Sequence, residues 1–447
     1  MVPGHQLERK RVGVWTLAAT IFFVVNGGPY TTEQVVGKSG PLFGLLVLLL
    51  IPIFWALPVA LLTAELSSAF PEEGGYYVWV KKGLGPFAGF LCAWYSWLSS
   101  WVDLALYPLL AVEYGSRLFV HGGQEVPHRY LWVLGLIVAF TVLNLLGVRV
   151  VGLFSDGLLV LLFAPFLMIF FLGLFRISTQ PIPHIPLLNP KWTWQGLGMA
   201  TVYALWNYFG WDSLTTTSGE VDQASRKFPK AILLAVGMVT AMVVLPVAAG
   251  IVLKTDWPNW DSDAGYWPEI ASAAWPGLVG VVIVGGAISN VGLFAANLLA
   301  SSRIPYVLAA DRFLPAFIFR EHPKFKTPWV GILLAGIFSA LLARDSFENL
   351  VGVDLALYLG ALMLEFATLL VLRKRGALDG AHFRIPGGFG LLVPLVLAPT
   401  IIALGAIILQ LSPSLKLSDL PVSPAVLALL MFATGPIVYG VSRKFAK

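Results

Sequence analysis

Charged residues and cysteines are both scarce in this sequence of 447 residues. Only 12% of the residues are charged and 57% are hydrophobic, whereas a soluble domain averages about 25% charged and about 45–50% apolar residues. A soluble fold cannot hide that much apolar surface, so the composition excludes a soluble enzyme, a disordered chain and a fibrous protein. Cys92 is the single cysteine, which excludes an intrachain disulfide and a cysteine-based metal cluster.

Motifs for several kinds of chemistry are missing as well. Gly37-Lys38-Ser39 resembles the end of a nucleotide-binding P-loop, but Thr32 stands where that motif requires glycine. Neither an H-E-x-x-H metal site nor a G-x-S-x-G nucleophile motif occurs. We therefore expect no catalytic residue, no metal and no cofactor. Two weaker hypotheses stay open at this point. One is an intramembrane hydrolase that pairs Asp103 with a second buried acid, and the other is a channel.

Apolar runs of about 20 residues recur along the chain, each long enough to cross a hydrocarbon core of about 30 Å. They predict an all-α polytopic membrane protein with about twelve transmembrane helices. Its expected partners are the lipid bilayer and a small-molecule substrate, with no nucleic acid. The predicted spans are 14–36, 42–69, 87–118, 130–147, 155–175, 196–218, 230–253, 276–302, 327–343, 347–372, 390–411 and 423–441.

The positions of the 29 lysines and arginines predict the orientation. Most of them lie in the loops that share a side with the amino terminus, and basic residues favour the cytoplasmic side. The sequence therefore predicts a multi-pass protein of the plasma or inner membrane with both termini cytoplasmic. The outer loop 255–275, rich in Asp and Trp, is expected to cover the outer end.

The first and sixth predicted spans are interrupted. The first apolar run stops at Asn26-Gly27-Gly28-Pro29-Tyr30 and resumes at Val35. In the sixth, residues 207–212 separate the apolar run 197–206 from a short polar helix, Ser213–Glu220. Bare backbone at membrane depth is tolerated only where it lines a cavity, and interruptions at matching positions mark the binding site of an inverted-repeat transporter. Two simple kinks are the alternative interpretation.

The matching positions predict a five-plus-five inverted repeat with helices 1 and 6 broken. The first repeat is then 14–175, with helices 1–5, and the second is 196–372, with helices 6–10. Residues 390–441 form two peripheral helices, 11 and 12, to which the sequence assigns no role.

Acidic residues follow both interruptions. Pro29 suits the first turn of the first outer half-helix, Asp212 can cap the other, and Glu33 lies about one turn into the first. Each positive helix end then already carries an anion. Amino-acid carriers leave such ends free for the substrate carboxylate, whereas occupied ends favour a cationic substrate. The alternative is that Glu33 faces an outer vestibule and Asp212 is only a cap.

The third span carries a polar stripe. Ser96, Ser99, Ser100, Asp103 and Tyr107 share one helical face. A carboxylate in the middle of a membrane is costly and by default marks function, which makes Asp103 the leading candidate residue. A structural hydrogen bond to a neighbouring helix is the alternative.

Further acids lie in the second and tenth spans. Glu65 is near the inner end of the second span, and Asp354 and Glu365 lie in the tenth. Each is as compatible with bonding between helices as with a ligand or gate. For Glu365 a simple pairing with Arg373 or Arg375 is one of the open interpretations.

Several blocks resemble the amino acid–polyamine–organocation (APC) superfamily, and within it the polyamine uptake transporters, a branch of polyamine:cation symporters. The superfamily blocks are Ala64-Glu65-Leu66 with Phe70-Pro71-Glu72-Glu73-Gly74-Gly75-Tyr76, Gly219-Glu220-Val221 with Phe228-Pro229-Lys230-Ala231, and Ser301-Ser302-Arg303 with Ala310-Asp311-Arg312-Phe313-Leu314-Pro315. The polyamine-branch blocks are Gly27-Gly28-Pro29-Tyr30 with Glu33, Asp103 with Tyr107-Pro108, Trp206-Asn207 with Trp211-Asp212-Ser213, and Leu364-Glu365-Phe366-Ala367. The resemblance covers residues 14–386. It implies a LeuT-like fold and cation-coupled uptake, with the site between helices 1, 3, 6, 8 and 10.

The sequence departs from the polyamine carriers of that family at several positions. Phe209 stands in place of a second asparagine, Val59 in place of a glutamate, and Ala295-Ala296-Asn297 where acids are expected. The fifth span also lacks the lysine that replaces a sodium ion in some proton-coupled relatives. Fewer carboxylates hold fewer amines, so a diamine, a monoamine and an amino acid all stay open, and so does the coupling ion.

These observations predict a secondary active transporter that imports a small organic cation, a polyamine first, by proton-coupled symport with alternating access. The alternative is an amino-acid symporter or exchanger of the same superfamily. The predicted substrate-binding residues are Asn26, Gly27, Gly28, Pro29, Tyr30, Asp103, Tyr107, Asn207, Tyr208, Phe209, Trp211 and Asp212. The predicted ion-coupling residues are Glu33, Asp103 and Glu65.

Overall fold

The computed structural model describes residues 11–119, 126–146, 148–181, 185, 188, 193–254, 256–261, 265–345, 347–411 and 424–445. This part of the chain is helical and contains no β-strand, which confirms the all-α class. The α-helices are α1 (Val14–Val25), α2 (Thr32–Ser39), α3 (Pro41–Ile51), α4 (Leu57–Ala69), α5 (Tyr76–Leu84), α6 (Pro86–Ser116), α7 (Arg129–Asn144), α8 (Val148–Thr179), α9 (Trp194–Trp206), α10 (Ala224–Leu253), α11 (Trp267–Ala274), α12 (Val279–Ser301), α13 (Arg303–Ala310), α14 (Trp329–Leu342), α15 (Phe347–Lys374), α16 (Phe389–Leu411) and α17 (Pro424–Phe445).

Within the described residues, seven helices are long and apolar enough to cross a membrane. They are Pro41–Ala69, Leu161–Thr179, Ala224–Leu253, Pro276–Ala310, Asn349–Lys374, Phe389–Ala406 and Val426–Arg443. Large apolar side chains on the outside of the bundle, such as Ile401 and Leu429 at 66% and 68% exposure, suit contact with lipid tails. The chain is a multi-pass membrane protein.

The first predicted interruption separates α1 from α2. The backbone turns through Gly27 at φ +67° and Gly28 at φ +125°, conformations that glycine adopts without steric cost. Thr31, the residue before α2, is also left-handed, at φ +76°. The helix therefore restarts at Thr32, and the prediction that Pro29 lies in its first turn is wrong: Pro29 lies inside the break.

The second predicted interruption follows α9, and a 3₁₀ helix occupies Ser213–Glu220, the predicted bounds. Three consecutive threonines explain why this segment is wound tightly. The hydroxyls of Thr215, Thr216 and Thr217 each donate to the carbonyl three residues earlier, at 2.5, 2.9 and 2.8 Å. Such local side-chain bonds compete with regular α-helical geometry.

Two buried ion pairs join helices at the end of the bundle that the sequence predicts to be the inner one. Nε and Nη2 of Arg373 each donate to Glu65 at 2.5 Å, and the Ile385 amide donates to the same carboxylate at 2.9 Å. Arg303 pairs with Glu220 at 2.9 Å, which fixes the end of the 3₁₀ helix to α13. Removing one partner of such a pair leaves an uncompensated buried charge, so both pairs hold helices together. The interpretation that pairs Glu365 with Arg373 is wrong, because Glu65 binds that guanidinium.

Candidate substrate site

A small cavity lies beside the second interruption, between α6, α12 and α15. Its volume is about 20 Å³, which is room for about one water molecule. The wall is formed by Tyr76, Ser96, Ser99, Ser100, Asp103, Phe209, Gly210, Asp212, Ser213, Asn297, Ala300, Ser301 and Tyr358. The wall thus contains two carboxyl groups and neither lysine, arginine nor histidine. In this closed conformation a larger molecule enters only if the helices move apart.

Asp103 lies in this wall, but it is not a lone charge. The indole nitrogen of Trp206 donates to its Oδ1 at 3.0 Å. Asp354, on α15, and Tyr107 are neighbours of Asp103. Ser99, one turn earlier on α6, donates to Asp354. The polar residues of α6 therefore meet an acid of α15 in the interior of the helix bundle.

Asp212 lies at the start of the 3₁₀ helix but makes no capping hydrogen bond with its side chain, so the prediction that it is a cap is wrong. Its φ and ψ of −83° and −26° are helical, whereas a capping residue needs extended backbone to reach the free amides. The carboxylate instead accepts a hydrogen bond from the Tyr358 hydroxyl at 2.7 Å. Glu365 is another neighbour of Asp212. Asp212 therefore faces α15 and the cavity.

An aromatic surface lies next to Asp212. The ring of Phe209 stacks on Tyr358 with centroids 4.7 Å apart, and Trp55 packs 5.6 Å from the Phe209 ring. Trp55 lies in a π-helical turn between α3 and α4, and its indole nitrogen donates to the carbonyl of Tyr208 at 3.1 Å. These contacts hold the broken segment against α3 and α4 and leave one aromatic face toward the cavity.

The predicted site residues around the first break lie outside the cavity wall. Their polar groups form hydrogen bonds with other groups of the protein. Asn26 donates to the backbone carbonyl and side-chain oxygen of Asn207 at 3.1 and 3.0 Å, and Asn207 donates to the Thr31 hydroxyl at 3.1 Å. The Gly27 carbonyl accepts from Ser289. The two breaks are thus joined to each other, and the carbonyls of Gly27 and Asn207 both accept hydrogen bonds.

The remaining predicted site residues are likewise packed in the protein. The Pro29 carbonyl accepts from the Trp267 indole at 2.7 Å, and Tyr30 donates to the Val282 carbonyl at 2.9 Å. The Gly28 amide donates to the Asn26 side chain at 2.8 Å. Tyr208 and Trp211 are fully buried beside Phe209. Tyr107 receives a hydrogen bond from Asn297 at 3.3 Å, so it supports the wall from behind.

Glu33 lies beneath a cover at the end of the bundle that the sequence predicts to be the outer one. The carboxylate is fully buried and accepts from the Tyr114 hydroxyl and the Tyr266 amide, both at 3.0 Å. Glu33 does not face an open vestibule in this structure. The described parts of the loop predicted to cover this end, 256–261 and 265–275, contribute α11 and the buried Trp257, Trp260 and Trp267. Residues 255 and 262–264 of that loop lie outside the described residues.

Polar contacts at the same end of the bundle hold the cover in place. Tyr266 donates to Asp256 at 2.7 Å, and Lys254 lies 3.3 Å from the same carboxylate. Partial burial raises the pKa of Asp256, but the hydrogen bonds from Tyr266 and Lys254 outweigh it and lower that pKa below its ordinary value. Asp256 is therefore ionised at neutral pH and anchors the loop.

Two acids of this site, Asp354 and Glu365, were not assigned to it by the sequence. Their spacing with Tyr358 was a usable signal, since residues 4 and 11 positions apart share one helical face. The sequence did not indicate that Trp55 lies beside the site, because in an apolar helix a tryptophan near a site cannot be distinguished from one that only packs. Glu65, predicted for ion coupling, lies in the inner ion pair with Arg373 and outside the cavity wall.

Comparison with known proteins places this arrangement among transporters. The sequence model of the amino acid permease family matches residues 12–435, which include both interruptions and the whole cavity wall. The chain is similar to polyamine transporter PUT1 of Oryza sativa subsp. japonica, with 34% identity over 94% of this chain and 78% of the relative. Polyamine transporter RMV1 of Arabidopsis thaliana is 32% identical over 88% of this chain and 79% of the relative. Branched-chain amino acid permease BcaP of Bacillus subtilis is 22% identical over 84% of this chain and 82% of the relative.

Proposed function

This chain belongs to the amino acid permease family, and from that premise we propose that it imports a small organic cation, a polyamine first, by proton symport. The family makes it a transporter of organic cations or amino acids and not an enzyme. The observation that carries the choice of a cation is the cavity wall, in which Asp103 and Asp212 are present without a basic side chain. A buried ammonium group needs such carboxylates, and a substrate carboxylate would be repelled by them.

We propose that transport uses the predicted architecture: twelve spans, residues 14–175 and 196–372 as inverted repeats, and residues 390–441 at the periphery. The two interruptions support this proposal because Asn26 and Asn207 join them through a hydrogen bond. Alternating access then follows from rocking one repeat against the other around this contact. The closed outer cover over Glu33 is one gate of that cycle. Both termini are cytoplasmic in a plasma or inner membrane.

For ion coupling we assign the proton to Glu33 and the substrate ammonium to Asp103. Glu33 is buried under the outer cover, where opening the cover would expose it to the outside. Asp103 reaches the cavity and can contact substrate directly. Glu65 is the weakest of the three coupling candidates, since its carboxylate is neutralised by Arg373.

Uptake by the purified protein in proteoliposomes tests the proposed function. We expect labelled putrescine to accumulate when the outside is acidic and excess unlabelled putrescine or spermidine to reduce its uptake. Neutral amino acids should leave it unchanged, because the cavity wall offers their carboxylate no cationic partner. If only neutral amino acids are transported, the amino-acid alternative replaces the cation. If uptake requires sodium and does not depend on pH, the proposal that the proton is the coupling ion is wrong.

Replacing Phe209 with asparagine should shift selectivity toward longer polyamines. The Phe209 ring offers an ammonium a cation–π contact of about 0.5–2 kcal/mol, whereas an amide oxygen can accept a hydrogen bond from an internal amine. We expect the ratio of half-inhibitory concentrations, putrescine to spermidine, to rise by about tenfold, or about 1.4 kcal/mol. Phe209→Leu is the matched control, since it keeps an apolar side chain without adding an acceptor. An unchanged ratio in Phe209→Asn would mean that this position does not contact the substrate chain.

A further inference from the structure

A pocket of about 300 Å³ lies where α15 is connected to α16, at the end of the bundle that the sequence predicts to be cytoplasmic. Ligand pockets in proteins measure about 300–1,000 Å³, so this one has room for a small group. Its wall is formed by Arg373 near the end of α15, Arg384, residues 385–389, and Leu392 at the start of α16. Among these described wall residues two are basic and none is acidic, the opposite of the central cavity.

Arg373 offers this pocket a nitrogen that the protein does not use. The side chain is 6% exposed. Nε and Nη2 donate to Glu65, and Nη2 also donates to the Ile385 carbonyl at 2.8 Å. The third nitrogen, Nη1, donates to no described residue. Buried donors are almost always hydrogen-bonded, so Nη1 in a pocket wall requires an acceptor from outside the described protein.

Arg384 brings a second positive charge to the same wall. Its Nη1 lies 2.9 Å from the Asp379 carboxylate, and the two side chains are 48% and 63% exposed. An ion pair in contact with solvent is weak. An anion inside the pocket can therefore bind Arg384 in competition with Asp379.

The start of α16 supplies backbone donors. The Gly388 carbonyl accepts from the Leu391 and Leu392 amides at 3.1 and 3.3 Å, so the helix begins directly after this glycine. The amides of Gly388 and Phe389 have no acceptor within the described chain. A Cβ atom at Gly388 would meet nothing within 4 Å, so the space around this glycine is open. Free amides and the positive end of a long helix favour a bound anion.

The pocket opens beside the lipid-facing surface. Phe389, Leu391 and Val393, at the start of α16, are between 43% and 54% exposed, which suits contact with lipid tails. Lys374 and Arg375 are exposed at the adjoining end of α15. Basic residues directly beside a membrane span attract anionic headgroups on the cytoplasmic side. The pocket is therefore within reach of both a lipid headgroup and the aqueous phase.

We propose that this pocket binds a phosphate group, which Arg373, Arg384 and the first amides of α16 hold together. The planar guanidinium matches phosphate oxygens, and charge-assisted hydrogen bonds of this kind are stronger than those between neutral groups. An anionic phospholipid and a soluble phosphate compound both carry such a group. The exposed apolar side chains beside the pocket favour the lipid, because its acyl chains can lie against them. The bound phosphate also touches the arginine whose pair with Glu65 joins α4 to α15.

Binding of labelled dioctanoyl phosphatidylglycerol to the purified full-length protein in a neutral detergent tests the proposal. Arg384→Gln should weaken this binding by about fivefold, the effect of one basic residue on an anionic headgroup. Gly388→Asp should weaken it more, because the added carboxylate both caps the free amides and repels the phosphate. A capping carboxylate stabilises a helix, so the thermal unfolding temperature of Gly388→Asp should not fall, which separates lost binding from misfolding.

Gly388→Ala and Arg320→Gln are the matched controls, and both should bind the lipid like the wild type. The added methyl group fills only open space, and Arg320 is exposed on the same predicted side but outside the pocket wall. Displacement of the lipid by inorganic phosphate would show that a soluble phosphate can occupy the site, whereas a lack of displacement would assign the site to the lipid. The proposal is wrong if Arg384→Gln and Gly388→Asp bind as tightly as the wild type. It is also wrong if dioctanoylglycerol, which lacks the phosphate, displaces the labelled lipid equally well.

Discussion

Replacing Asp103 with asparagine is expected to remove measurable binding of cationic substrates. A hydrogen bond to a charged group contributes about 1.5–3 kcal/mol, and the Coulomb attraction of a buried carboxylate adds to it, so we expect affinity to fall by about 100-fold or more. The fold should tolerate the change. The asparagine carbonyl can still accept the hydrogen bond that Trp206 donates at 3.0 Å, and its amide can donate to Asp354.

The measurement is equilibrium binding of labelled putrescine to purified wild type, Asp103→Asn and Glu113→Gln. The glutamine variant loses the same charge on the same helix at a partly buried position paired with Arg129, and it should bind like the wild type. If Asp103→Asn binds the amine as tightly as the wild type does, the site is not organised around that carboxylate, and the amino-acid alternative gains support.

Local signals predicted the helices and the two interruptions. The short polar helix was expected at Ser213–Glu220 and is found there, because an asparagine, a glycine and an aspartate interrupt an apolar run at that point. Gly27 and Gly28 likewise indicated the first break. Such features depend on a few neighbouring residues, and the sequence contains them directly.

Pairings between distant residues were not predictable in this way. Glu65 and Arg373 are 308 residues apart, and sequence alone could not choose between Glu65 and Glu365 as the partner of that arginine. Asp103 and Asp354 are 251 residues apart, so the sequence identified the first acid and left the second without a role. The Asn26–Asn207 contact joins residues 181 positions apart and is likewise set by tertiary packing.

Glu33→Gln is expected to abolish uphill uptake driven by a pH gradient while leaving substrate exchange intact. The Tyr114 hydroxyl and the Tyr266 amide both donate to one oxygen of Glu33, and the carbonyl of glutamine can accept both bonds. The outer cover should therefore still close. Glutamine has no proton to gain or lose, so the gate would open and close without carrying one.

The size of the effect follows from the gradient. One proton moving down a gradient of one pH unit supplies about 1.4 kcal/mol, enough for about tenfold accumulation of substrate. With the membrane potential clamped at zero, the wild type should concentrate labelled putrescine by that factor, and Glu33→Gln should only equilibrate it. Glu269→Gln is the matched control, because this acid lies on α11 in the same cover, 3.2 Å from Arg117, and is 43% exposed. If Glu33→Gln still accumulates substrate and Asp103→Glu does not, the proton is carried at the substrate site and not at the outer gate. Asp103→Glu is the variant used there because the longer side chain shifts the carboxylate without removing it.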